Sequence, residues 1–257
     1  MSPRKESGTY RGSRKHILDW VEAPSFLTDL TDMLKPLSVV IPTPAIFMPR
    51  GLHAPQEARL DASDSPFAVV HDVQEQLQNW WLVHHRGANT PNWDLLVACQ
   101  IEGRAGLVLV EAKANVPELK EEGKTKSPDA SPDSRENHQR ISSAIAEARE
   151  GFKKVGLDVQ ISVDSHYQLA NRIAFMWKLA TLGIPTVLVY LGFTGDDGIR
   201  DAGMPFDNDD HWRVAFGGHT KAIIPKAMLD GERLDLGSAP AWLLVRGREV
   251  LQPSGPI

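Results

Sequence analysis

Apolar residues recur at three- and four-residue spacing after Pro66. In "FAVVHDVQEQLQNWW", Val69, Val70, Val73, Leu77, Trp80 and Trp81 form one stripe, with His71, Glu75 and Asn79 on the opposite side, which predicts an amphipathic helix. "WLVHH" reads as a short strand leaving that helix, and "RGANTPN" as the turn that follows. The period then changes. "WDLLVACQI" and "GLVLVEAKA" are β-rich runs joined by "EGRAG", a spacing that predicts an antiparallel hairpin. "SRENHQRISSAIAEAREGFKKVG" predicts a helix with Ser134 as its cap and Gly156 as its stop. "SHYQLANRIAFMWKLATLG" predicts a second, more buried helix ended by Gly183, and "IPTVLVYLGF" a strand apolar on both faces. This order, helix, strand, hairpin, helices, buried strand, predicts an α/β fold whose sheet has helices on both faces.

The flanks are less regular. Residues 1–15 are polar and basic, with Arg4, Lys5, Arg11, Arg14 and Lys15 against Glu6, and read as a flexible solvated tail or a phosphate-contacting arm. Residues 16–257 read as a single domain with its core at 66–193. Residues 16–60, which include the Pro-rich "PLSVVIPTPAIFMP", and the C-terminal part with Trp212 and Trp242 are expected to pack on that core. Residues 116–134 are rich in proline and charge and read as a long loop beside a site. No internal repeat is visible.

Charge falls in unexpected places within the hairpin. Asp94 opens the first apolar run, and Glu111-Ala112-Lys113 closes the second. Folding back at "EGRAG" puts the start of one strand beside the end of the other, so the Asp94 and Glu111 carboxylates meet. Glu111 and Lys113, two apart, share one face of their strand. Two adjacent carboxylates repel unless a cation lies between them. Hard oxygen donors select Mg²⁺ or Mn²⁺ over zinc, and the Ala112 carbonyl is a further oxygen donor. Lys113 is suited to orient or deprotonate a water, or to hold a phosphate.

With "PNWD" followed by "EAK", the chain resembles the PD-(D/E)xK superfamily of Mg²⁺-dependent nucleases, over roughly residues 66–193. Trp93 stands where a proline often precedes the aspartate, and Pro91 lies three positions before Asp94. The resemblance implies a restriction endonuclease-like mixed central sheet flanked by helices. It makes Asp94 and Glu111 the metal ligands, with Lys113 activating the attacking water. It also offers Glu75 as an extra ligand and Gln168, in "HYQLANR", as a supporting residue, although Glu75 equally suits a solvated face and Gln168 an ordinary helix start. The implied function is Mg²⁺- or Mn²⁺-dependent hydrolysis of DNA, restriction-type or repair-type, with RNA as an open alternative. Cutting both strands with one site per chain would call for a homodimer. The competing reading is a catalytically silent nucleic-acid-binding or scaffold protein of the same fold. A further one is another metal-dependent phosphoesterase.

Composition narrows these readings. The net charge of -5 is no nucleic-acid signature, so such contacts would rest on a local patch, here Arg86, Lys120, Lys124 and Lys126, or on metal ions. Cys99 is the only cysteine, which excludes an intrachain disulfide and fits a cytoplasmic location. Ile173–Leu191 is interrupted by Lys178, Gly183 and Pro185 and predicts no membrane span. "EEGKTKS" has Glu118 where a phosphate loop needs glycine, and the acidic residues of 195–210 lack calcium-loop spacing.

Overall fold

The computed structural model describes residues 10–62, 65–125, 127–229 and 231–250. Helices α1 (Gly12–Glu22) and α2 (Phe26–Met33) precede three short strands, β1 (Val39–Val40), β2 (Phe47–Met48) and β3 (Ala58–Arg59). A 3-10 turn over Ala68–Val73 runs into α3 (Gln74–Trp81), then β4 (Asn92–Trp93), β5 (Leu95–Ile101) and β6 (Arg104–Lys113). Next come α4 (Pro132–Lys154), α5 (Tyr167–Thr181), β7 (Thr186–Thr194), α6 (Asp209–Thr220), α7 (Lys226–Leu229), β8 (Leu234–Asp235) and β9 (Pro240–Glu249).

One mixed sheet runs in the order β1-β5-β6-β7-β9-β8, with β2 also pairing β5, while β3 and β4 form a separate small ladder. The hairpin β5–β6 is antiparallel from Leu95↔Val110 to Ile101↔Arg104. Its connection is shorter than the expected "EGRAG". Arg104–Gly106 continue the ladder, and Glu102 and Gly103, both at positive φ (51° and 76°), make a two-residue turn. β6, β7 and β9 are parallel, and all nine residues of β7 are buried, as its two-sided apolar pattern requires. β9 pairs β7 along its length, so the C-terminal segment supplies a strand of the sheet itself.

Helices cover both faces. Side chains alternate along the strands, so Leu107 and Leu109 of β6 join a core with α3, α4 and α5, while Val108 and Val110 join one with Ile17, Trp20, Phe26 and Leu30 of α1 and α2. α6 packs on the first face, where the Trp212 ring lies so close to Gly192 that a Cβ there would sit 2.3 Å from it.

Three local expectations are corrected. "WLVHH" is not a strand. The Asn137 side chain accepts from Val83 N–H and His84 N–H, both at 2.8 Å, and donates to the His84 carbonyl at 2.7 Å, replacing a ladder partner for that backbone. The sheet's outer neighbour of β5 comes instead from "PLSVVIPTPAIFMP", as β1 and β2. The α4 cap is Ser131, whose hydroxyl accepts from Ser134 N–H at 3.2 Å, with Pro132 opening the helix. Finally, the stripe 69–81 divides into a 3-10 turn and a shorter α-helix.

Candidate active site

Asp94 occupies the bend between β4 and β5, and its Oδ2 accepts from the Ala112 N–H at 2.8 Å. The carboxylate thereby takes the place of a ladder carbonyl at the point where β5 begins. Extending the register by one places Asp94 opposite Glu111, on the face of Leu96 and Leu109. In an extended strand, N–H and C=O of one residue point the same way, so the Ala112 carbonyl also faces the Asp94 side. The structure therefore brings together Asp94, Glu111, Ala112 and Lys113.

Helix α5 closes over them. Gln168 and Arg172 are four apart and emerge on the same helical face, toward β6. Lys113 Nζ donates to Glu111 Oε1 at 2.5 Å and to Gln168 Oε1 at 2.9 Å. Arg172 Nε donates to Glu111 Oε2 at 2.6 Å, and its terminal nitrogens reach the Asn92 carbonyl (2.7 Å) and Asn171 Oδ1 (3.0 Å). The guanidinium also lies over the Trp93 ring, 4.5 Å from its centroid. Glu111 is only 1% exposed and Lys113 and Arg172 are 6% exposed, so these are desolvated ion pairs whose geometry is held by a full set of donors.

Charge balance separates the two carboxyls. Burial alone would raise Glu111, but Arg172 and then Lys113 outweigh it and hold Glu111 below its ordinary value. Asp94 has no ion-pair partner among the described residues. Burial, and then the charge of Glu111, push its carboxyl up to about 7. Tyr190, opposite Glu111 on β7, is raised well above its ordinary value by burial and by Glu111, and its hydroxyl is buried without a hydrogen-bond partner among the described residues.

A cleft of about 650 Å³ opens over the site, lined among others by Asp94, Asn92, Gln168, Arg172, Lys120 and Tyr167. Lys120 is exposed on its wall, while Lys124 is half-buried, with its ammonium 5.0 Å from the Tyr167 ring centroid. Arg86 is exposed in the loop after α3 and is not among the residues lining the cleft. Lys126 lies outside the described residues, as do Arg4 and Lys5. Arg11 pairs with Asp201 and Arg14 with Glu57.

Glu75 is not brought to the site. Trp81 at the far end of α3 lines the cleft, but Glu75 is exposed in the first turn, six residues or about 9 Å earlier along the axis. The acid that lines the cleft beside Asp94 is Glu57, next to β3, which the pairing Ala58↔Trp93 carries alongside it. Pattern gave no hint of Glu57, because its position depends on a two-residue ladder distant in sequence. Arg172 did leave a signal: it is the one charged residue between Gln168 and Lys178 in an otherwise buried helix.

The donor set fits a hard divalent cation. Asp94 Oδ1 has no partner among the described residues, and the Ala112 carbonyl faces the same side. Among the described residues each Glu111 oxygen holds a single donor, which leaves lone pairs for a metal.

No family model, curated protein or solved structure matches this chain.

Proposed function

We propose that the chain is a Mg²⁺- or Mn²⁺-dependent nuclease that hydrolyses phosphodiester bonds in DNA, on a restriction endonuclease-like sheet. The observation that carries this reading is the convergence of Asp94, the Glu111-Ala112-Lys113 strand end and Gln168, of which Asp94 and Gln168 line one cleft. The antiparallel hairpin followed by parallel strands, with α5 packed over the motif, is consistent with the same reading.

Asp94, Glu111 and the Ala112 carbonyl would hold the cation, which when bound polarises a phosphate and lowers the pKa of a water. The protein's own groups do the rest. Arg172 fixes the Glu111 carboxylate in one orientation, leaving it ionised at neutral pH. Gln168 and Glu111 together hold the Lys113 ammonium, directing its remaining donor to a water or to the charge that develops on phosphate. Lys120 stands on the wall to meet the nucleic-acid backbone.

Supercoiled plasmid and single-stranded DNA, incubated with Mg²⁺ or Mn²⁺, test this. Cleavage by the wild type should fall at least about 100-fold in Lys113→Ala. Undiminished cleavage in the variant would assign the activity elsewhere.

One observation favours a second reading, a catalytically silent nucleic-acid-binding protein: both Glu111 oxygens are engaged in ion pairs, with Lys113 and with Arg172. That reading requires calorimetry to find no Mg²⁺ or Mn²⁺ binding that Asp94→Ala abolishes, with or without DNA.

A further inference from the structure

A second cluster of ligating side chains lies beside the first, and it shares no residue with it. One ligand atom from each of Glu121, His166 and His219 lies within 4.8 Å of the others, the one such group among the described residues. They come from three separate segments: the loop after the 3-10 turn Val116–Glu118, the residue before α5, and the last turn of α6.

The backbone holds the first two in place. His166 N–H donates to the Glu121 carbonyl at 2.8 Å, and Tyr167 N–H to the Glu122 carbonyl at 3.1 Å. His166 adopts the left-handed conformation (φ 49°, ψ 38°), which costs a non-glycine residue free energy and which Asn would occupy more readily. Its Nδ1 is buried with no hydrogen-bond partner among the described residues. A buried imidazole nitrogen with no protein partner is a free lone pair or donor that a ligand can engage. The His219 ring stands 4.7 Å from it, centroid to centroid and tilted by 48°.

We propose that Glu121, His166 and His219 form a binding site for a zinc-class divalent cation that ties the loop 119–125 to the start of α5 and to the last turn of α6. Two imidazoles and one carboxylate are a borderline donor set, suited to Zn²⁺ or Co²⁺ and poorly suited to Mg²⁺, so the two centres select different ions. Glu121 is exposed, and His166 and His219 are partly buried. Burial, then the charges of His166 and Lys113, hold the His219 imidazole down at about 4, so it is neutral, the form that ligates, at physiological pH. His166 is two residues before Gln168, and Glu121 is next to Lys120. An ion here would order both walls of the cleft. The site does not depend on the nuclease reading.

Calorimetric titration of the chelator-stripped full chain with Zn²⁺ tests it, in an Asp94→Asn background that removes the other centre. One equivalent should bind, and His219→Ala and His166→Asn should each weaken it by on the order of 100-fold, with unchanged circular dichroism. Histidine-ring NMR of the parent protein reads the same site without those variants: two imidazoles should shift together on the first equivalent. No stoichiometric binding, unchanged affinity in both variants, or no paired imidazole shift would overturn the proposal.

Discussion

On one face of β6, Val108, Val110, Ala112 and the following Ala114 meet an apolar cluster built from α1, α2 and neighbouring strands. On the other, Leu107 and Leu109 give way to Glu111 and Lys113, equally buried. The backbone is the same strand, so the difference lies in what covers it. α1 and α2 bring Ile17, Trp20, Phe26 and Leu30, whereas α5 brings Gln168 and Arg172 one turn apart. Charge is tolerated inside this sheet only where a neighbouring helix supplies counter-charge and hydrogen bonds.

Moving a charge to the apolar face should have the largest effect. Val110→Asp places a carboxylate where nothing can pair with it, and its cost, on the order of 5 kcal/mol or more, is expected to leave little folded protein in urea or thermal melts. Survival with a normal melting curve would mean that the two faces are not distinguished by their partners.

Stripping the counter-charge from the polar face comes next. Arg172→Met leaves Glu111 with Lys113 alone and should lower stability by about 3–5 kcal/mol. Adding Glu111→Leu should return part of that loss, because the double variant buries no half-compensated carboxylate. Additive losses in a urea double-mutant cycle would contradict the coupling.

Asp94 sharpens the comparison through pH. Its carboxyl titrates near 7 in the fold against 3.8 ordinarily, so between those values the folded chain holds a proton that the unfolded chain has lost. Stability therefore falls as pH rises through this window. In the presence of chelator, Asp94→Asn should stabilise by on the order of 1–3 kcal/mol above pH 7, a gain that disappears toward pH 4. A pH-independent difference in melting temperature would place the effect elsewhere. The smallest effect is reserved for Glu75→Gln, expected to change stability by no more than about 0.5 kcal/mol and cleavage by less than about twofold, since Glu75 is exposed and away from the cleft.

By itself, the sequence determined the α/β class, the β5–β6 hairpin, the long helices and the two-sided burial of β7, because each rests on a local period that burial reads directly. It also determined which end of the hairpin carries the charges, since antiparallel pairing must bring Asp94 to Glu111. Only the tertiary structure decided the rest. β1 and β2 rather than "WLVHH" flank β5, because Asn137, some fifty residues on in the chain, satisfies the backbone of 83 and 84. Arg172 rather than Glu75 completes the Glu111 environment, and His166 meets His219, because helix placement over a sheet depends on packing between distant segments. Such contacts leave no period in the chain, so they become visible only once the helices are seated.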